Sequence, residues 1–212
     1  MRCTWIGLTV VLLLVGCAGQ PLVYNEQLSP AYRPTEYGYG AGRRDFTTVI
    51  QGDPFQLGEG EFQAQFVDLL NRHQPILQPT HFTTTPGPSA RPIYRVVFLF
   101  NTRYVLPNQM CRQPLDVPAA EPGKAVRVMA AFCRWQGALS TVTGEVEVAS
   151  LDDPRFESMI GQMIWLLFPP IDPSEDDPRW LVDGTGPPAG AIGQAALDAG
   201  SVNPAFADFA GG

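Results

Sequence analysis

The segment IYRVVFLF, residues 93–100, predicts a strand at the centre of a β-sheet. Its large apolar side chains alternate between two faces: Tyr94, Val96, Phe98 and Phe100 on one, and Ile93, Val97 and Leu99 on the other. Because successive side chains of a strand point to opposite sides of the sheet, both sides of this strand are apolar. Such a pattern is typical of a strand inside a sheet that is covered on both faces.

Three other segments have the composition of strands. Residues 46–51 are mostly β-branched or aromatic and end at the turn-forming Gly52-Asp53-Pro54. Residues 125–135 are largely apolar on both faces, and residues 138–149 alternate between apolar and polar side chains. Because Gln136-Gly137 offers a turn between these last two segments, they predict a hairpin whose second strand has one face in water.

Two segments have the periodicity of amphipathic helices. In residues 59–71 the apolar side chains recur at steps of three and four: Phe62, Phe66, Leu69 and Leu70. A second helix is predicted to begin at Asp152-Asp153-Pro154, an aspartate cap followed by a proline, and to end at Pro169-Pro170. Its broad apolar stripe is expected to cover the sheet: Phe156, Met159, Ile160, Met163, Ile164, Leu167 and Phe168. Trp165 lies off that stripe, so we expect it to contact a partner.

The order of these elements, β-α-β-β-β-α, predicts a single α+β domain over residues 45–170. Its sheet is expected to be mainly antiparallel, with about four strands and two helices. Residues 17–44 contain prolines, glycines and polar side chains without a period, which predicts a flexible tether. Residues 171–212 are acidic and rich in glycine, alanine and proline, which predicts a disordered tail.

The charge of the chain argues against a nucleic-acid partner. The chain has 14 basic and 21 acidic side chains, which gives a formal net charge of −7, and no basic face is evident. Binding to nucleic acid depends on clustered positive charge that neutralises phosphates. Hydrophobic residues make up 45% of the chain, which is enough for the core of one domain.

The N-terminus has the layout of a signal peptide. The basic Arg2 precedes an almost unbroken apolar run from Ile6 to Val15, about half of the roughly 20 residues that a membrane-spanning helix needs. This run ends in Leu14-Val15-Gly16-Cys17, which resembles the lipobox of bacterial lipoproteins. No later segment is apolar for long enough to span a bilayer.

The lipobox resemblance implies that residues 1–16 are removed and that Cys17 becomes the lipid-bearing first residue of the mature protein. Several acyl chains on one residue hold a protein at a membrane essentially for good. In such lipoproteins an aspartate after the cysteine favours retention in the inner membrane, whereas this position is Ala18 here. We therefore expect a lipid anchor in the outer membrane with the domain on its periplasmic side.

Cys111 and Cys133 are candidates for a disulfide because they are the two cysteines that remain in an oxidising compartment. The loop that carries Cys111 would have to fold back over the strand that ends near Cys133. The alternative is a buried free cysteine on one face of a strand. The spacing of the cysteines and histidines does not match a zinc site, so no metal and no cofactor are predicted.

His73 and His81 are the only histidines, and both fall near a proline-rich loop, residues 73–90. A dyad with Ser89, or a metal site with Glu59 or Glu61, can be drawn. However, the chain has no nucleophile elbow, no HExxH pattern and no phosphate-binding glycine pattern. We therefore predict no catalytic residue.

These features favour a non-enzymatic binding or scaffold protein of the bacterial cell envelope. It would contact an envelope protein through Trp165 and two proline-rich loops, residues 73–90 and 107–122. In its anchor and coarse order of elements, the chain resembles small α+β domains of outer-membrane lipoproteins that assist envelope assembly, synthase activation or lipid transport. It carries no motif of a specific family among them. The alternatives are an envelope hydrolase or metal-dependent enzyme that uses His73 or His81, and a carrier of a small ligand or lipid.

Overall fold

The computed structural model describes residues 19–75, 78–115 and 123–170, which form an α+β domain around one six-stranded sheet. The helices and strands of these residues, in chain order, are β1 (Leu22–Leu28), α1 (Pro34–Ala41), β2 (Asp45–Gln51), α2 (Glu59–Arg72), β3 (His81–Thr83), β4 (Tyr94–Phe100), α3 (Pro107–Met110), β5 (Val126–Arg134), β6 (Gly137–Val146) and α4 (Pro154–Leu167). Across the sheet the strands lie in the order β1-β6-β5-β4-β2-β3.

Strand β4 lies inside the sheet, as its two apolar faces predict. All seven of its residues are buried, and it pairs with β5 on one side and β2 on the other. The β5 and β6 strands form the expected antiparallel hairpin. Helices α2 and α4 also lie where their apolar stripes predict them.

Helix α4 begins and packs for reasons that are local in the sequence. The Asp153 carboxylate accepts a hydrogen bond from the Arg155 backbone N–H at 2.9 Å, and Pro154 occupies the first turn. The helix then crosses β6 at Gly144, where a Cβ atom would lie only 2.5 Å from the Met163 Sδ atom. The missing side chain of this glycine lets helix and sheet approach closely.

The prediction of four strands and two helices is wrong in number, since the described residues contain six strands and four helices. The sheet is mixed, because β2, β3 and β4 run parallel while β4, β5, β6 and β1 pair antiparallel. The physical reason is the crossover of α2, which returns the chain in the original direction after β2. The strand that follows this crossover, β3, lies within residues 73–90, which were predicted to be a loop because of their prolines.

The prediction of a flexible tether over residues 17–44 is wrong for the part that the structure describes. Strand β1 pairs antiparallel with β6, with Leu22 opposite Glu145. Helix α1 follows it, and Tyr32 and Tyr37 are completely buried. The domain therefore begins well before residue 45. The predicted signal peptide, Cys17 and the predicted tail, residues 171–212, lie outside the described residues.

The two faces of the sheet are covered differently. Helices α1, α2 and α4 share one large apolar core with one face. The opposite face carries a smaller core that includes residues of α3 and of the segment before it. Within the described residues, no helix is long and apolar enough to cross a membrane.

Candidate binding surface on the disulfide side of the sheet

The smaller core lies between the sheet and residues 101–115, which we call the covering segment. Its buried members come from β4, β5 and the covering segment: Val97, Leu99, Val105, Met110, Cys111, Met129, Ala131 and Cys133. In the described part of the chain, α3 is the only helix on this side, and it has a single turn. Much of this side of the sheet is therefore covered by short, irregular structure.

A disulfide between Cys111 and Cys133 holds the covering segment to β5. Their Cα atoms lie 5.5 Å apart, which is an ordinary separation for a bonded pair. Helix α3 brings this about because it turns the chain back immediately before Cys111. A second link joins the covering segment to β6, where the Asn108 side-chain oxygen accepts a hydrogen bond from the Ala138 backbone N–H at 3.1 Å.

Arg95 provides a third link beneath the covering segment. It lies on β4 opposite Cys133, on the same face as Val97, and only 6% of its surface is exposed. Its guanidinium donates a hydrogen bond to the Cys111 carbonyl oxygen. Burial lowers the pKa of Arg95, because removal from water disfavours the charged form.

Three large apolar side chains remain in water on the covering segment and on the hairpin beside it. Tyr104, Leu106 and Trp135 are 60%, 55% and 66% exposed. We call them the apolar rim. The hydrogen bond from Ala138 to Asn108 joins the part of the chain that holds Leu106 to the hairpin that holds Trp135.

The backbone at Trp135 adds to the significance of its exposure. Its φ is +56°, in the left-handed region that favours glycine and is rare for bulky residues. The Trp135 backbone N–H donates a hydrogen bond to the Ile93 carbonyl oxygen at 2.7 Å, which fixes the turn. Neither burial nor backbone preference accounts for a tryptophan at this position. Residues of this kind are enriched where a protein binds a partner or ligand.

Trp165 lies on the other side of the sheet, on α4. It is 50% exposed, whereas its neighbour Ile164 is buried. This confirms that Trp165 falls off the apolar stripe. Its contact with a partner stays a prediction.

The two histidines lie in separate places, and each binds a carboxylate. His73 follows α2, and its Nε2 atom lies 3.1 Å from the Glu157 carboxylate on α4. His81 is on β3, and its Nδ1 atom lies 2.8 Å from the Asp45 carboxylate on β2. These hydrogen bonds lower the pKa values of Glu157 and Asp45, because they favour the ionised carboxylates. Each pair links two elements of the fold.

The partners considered for these histidines do not assemble a site with them. The Ser89 hydroxyl accepts a hydrogen bond from the Asp45 backbone N–H, and no described hydrogen bond joins it to His81. Glu59 and Glu61 lie in the first turn of α2, whereas His73 follows its last turn, about 20 Å away along the helix. Among residues 19–75, 78–115 and 123–170, no group of three or more histidine, cysteine or acidic side chains is placed to hold a metal ion.

Comparison with known proteins adds little to this picture. No family model matches the chain, and no curated protein matches it. One similar solved structure is a PelC dodecamer from Paraburkholderia phytofirmans. The two chains are 11% identical with a TM-score of 0.35, over 70% of this chain and 97% of the other. A likeness of that strength supports no conclusion about this chain.

Sequence reasoning missed Arg95 and the apolar rim. Arg95 carries a readable signal, because alternation within IYRVVFLF places it on the same apolar face as Val97 and Leu99. The rim has no such signal, since single exposed apolar residues are common on protein surfaces. Trp135 in particular was counted as the end of an apolar strand.

Proposed function

We propose that this chain is a lipid-anchored periplasmic protein that binds a protein partner of the bacterial cell envelope and performs no catalysis itself. The apolar rim is the contact surface. The observation that carries this proposal is Trp135, an exposed tryptophan in a fixed turn with a backbone conformation that tryptophan rarely adopts.

The rim is suited to binding because its framework is already ordered. The disulfide, the Asn108 side chain and Arg95 all tie the covering segment to the sheet. A partner that docks here would not have to order a loop, which is a large part of the cost of association. Exposed tryptophan and tyrosine are also the side chains that most often dominate protein interfaces.

The proposed anchor would keep this surface near the membrane. If Cys17 carries the lipid, only five residue steps separate it from Leu22 at the start of β1. A fully extended chain spans at most about 3.5 Å per residue, so Leu22 would lie within about 18 Å of the anchor. The partner would therefore be a membrane protein or another protein held close to the same membrane.

Photo-crosslinking in cells tests this proposal. A photoreactive amino acid replaces Tyr104, Leu106 or Trp135 in turn, and captured proteins are identified by mass spectrometry. The expected result is the same envelope protein from all three positions. Capture should fall when Cys17→Ala removes the anchor.

Ala64 provides a matched control, because it is exposed on α2 on the opposite side of the sheet. A photoreactive residue there should not capture the same protein. Equal capture from position 64 and from the rim, or capture of no protein from any rim position, would rule out the rim as the contact surface.

A further inference from the structure

A cavity of about 330 Å³ lies between the sheet and the end of the covering segment. Its apolar lining includes Val49 from β2, Val97 from β4, and Met110 and Leu115 from the covering segment. Two arginines, Arg95 and Arg112, also line it. This volume is at the small end of the range for ligand pockets in proteins.

Arg95 is a cation without a described anionic partner. It is more than nine-tenths buried, and its described hydrogen bond goes to the neutral Cys111 carbonyl oxygen. A guanidinium has five N–H donors, so one carbonyl leaves most of them available to a ligand in the cavity. In the described part of the chain no carboxylate forms an ion pair with it.

A buried charge of this kind is costly unless an opposite charge or several hydrogen bonds compensate it. Arg112 adds a second positive charge at the exposed edge of the same cavity, and it too has no ion pair among the described residues. Both arginines therefore line a cavity whose described lining has no acidic side chain, within a chain of net charge −7. The local charge of the cavity is opposite to that of the protein.

We propose that this cavity binds an organic carboxylate that carries a small apolar group. The Arg95 guanidinium would hold the carboxylate at the floor, with Arg112 at the edge and Val49, Val97, Met110 and Leu115 around the apolar group. A guanidinium matches a carboxylate in a paired, two-bond geometry. The apolar lining suits the rest of such a ligand better than it suits a hydrated inorganic anion.

A short free acid and the C-terminal carboxylate of a peptide with an apolar last residue share this chemistry. Both are probes for isothermal titration calorimetry with the full-length protein in lipid nanodiscs at pH 7, after subtraction of empty nanodiscs. The first probe is hexanoate, and its neutral control is hexanamide. The second is an N-acetylated peptide that ends in leucine, and its control is the same peptide with a C-terminal amide.

We expect saturable binding of at least one acid, at least about tenfold tighter than its neutral control, because hydrogen bonds to charged groups are the strong ones. Tighter binding of hexanoate would identify a free acid as the ligand, and tighter binding of the peptide would identify a chain terminus. Equal binding of acid and neutral control for both probes, or no binding of either acid, would overturn the proposal.

Substitutions test whether binding takes place in this cavity. Arg95→Met keeps the unbranched stem of the side chain and removes the guanidinium with its charge, and it should abolish the preference for the acid. Val49→Phe fills the cavity without altering a charge and should weaken binding at least about tenfold, while Arg112→Gln should weaken it about threefold. Arg72→Gln removes the same charge from an exposed side chain of α2, on the other side of the sheet, and should leave binding unchanged. If Arg72→Gln weakened binding as much as Arg112→Gln, the cavity would not be the site.

This proposal is independent of the one for the apolar rim. The rim is tested by capture of a protein at Tyr104, Leu106 and Trp135, none of which is altered in the calorimetry. Failure to capture a protein leaves the carboxylate titration valid, and failure of the titration leaves the capture valid.

Discussion

Tyr37 shows why single residues before position 45 belong to the core. Its ring lies 4.7 Å from that of Phe168 and 6.4 Å from those of Phe46 and Phe132, measured between centroids. Its hydroxyl donates to the Gln78 carbonyl oxygen at 2.9 Å, so the polar end is satisfied although the residue is buried. Burial also raises the pKa of Tyr37. A large aromatic with its hydroxyl paired is a strong packing contact rather than a linker residue.

We expect Tyr37→Ala to lower the free energy of unfolding by about 3–5 kcal/mol, the usual cost of removing a large buried side chain. Tyr37→Phe should cost about 1 kcal/mol, because it removes only the hydrogen bond. Urea denaturation of the full-length protein, followed by circular dichroism, measures both.

Tyr39 serves as the comparison for Tyr37, since it is two residues away and 53% exposed. Its ring lies under the Arg91 guanidinium, so Tyr39→Ala should cost less than about 1 kcal/mol. Equal stability of the Tyr37→Ala and Tyr39→Ala variants would contradict the burial of α1 and support the prediction of a flexible tether.

At the same scale, the sequence shows why these residues resemble a flexible tether. Tyr37 and Tyr39 are interleaved with Gly38 and Gly40, which locally favour irregular structure. At Gly40, however, a Cβ atom would lie 2.7 Å from the Tyr94 ring, so this glycine serves close packing rather than flexibility. The ring that it makes room for belongs to a residue 54 positions later in the chain, so the local sequence pattern does not reveal this contact.

At the scale of elements, the segments with a strong local period were predictable and the others were not. Strand β4 and helices α2 and α4 carry continuous apolar patterns, and each was placed within a few residues of its observed bounds. Strand β1 has an irregular register between Tyr24 and Gln27, and its consecutive residues Asn25, Glu26 and Gln27 are polar. It exists because it pairs with β6, more than a hundred residues later, and β3 has only three residues to show a pattern.

The same contrast between strong and weak local sequence patterns applies to the candidate surface. Cys111 and Cys133 were identifiable as a pair by their number and the inferred compartment, but the geometry depended on whether the loop folded back. Helix α3 makes that return, and it has one turn, which is too short to give a periodic signal. The position of Arg95 beneath this turn depends on the same return of the chain.

For the covering segment, we expect the disulfide to determine its order. Replacement of both cysteines, Cys111→Ser with Cys133→Ser, should lower the free energy of unfolding by about 3 kcal/mol, given their sequence separation of 22. Hydrogen exchange followed by mass spectrometry should show faster exchange in peptides from residues 101–115 of the double variant.

Peptides from α2 provide the internal comparison for that experiment, because α2 lies on the other face of the sheet and shares no core with the disulfide. Under strongly native conditions their exchange should change less than that of residues 101–115. Unchanged exchange of residues 101–115 would contradict the role of the disulfide in fixing the covering segment and the rim.

At the scale of the whole molecule, the two sides of the sheet differ in the side chains that they present. The helical side holds the large core and the contact of His73 with the Glu157 carboxylate. The disulfide side presents exposed apolar side chains and a cavity with two cations. The proposed lipid on Cys17 would hold the start of β1 within about 18 Å of a membrane, where partners are also confined.

The anchor is the condition for the proposed function, and mass spectrometry of the N-terminal peptide from isolated outer membranes tests it most directly. The predicted result is a chain that begins at Cys17 and carries a diacylglycerol and a further acyl chain, together with loss of the protein from membranes in the Cys17→Ala variant. An unmodified Cys17, or cleavage at another residue with the protein free in the periplasm, would contradict the proposal of a membrane-anchored binding protein.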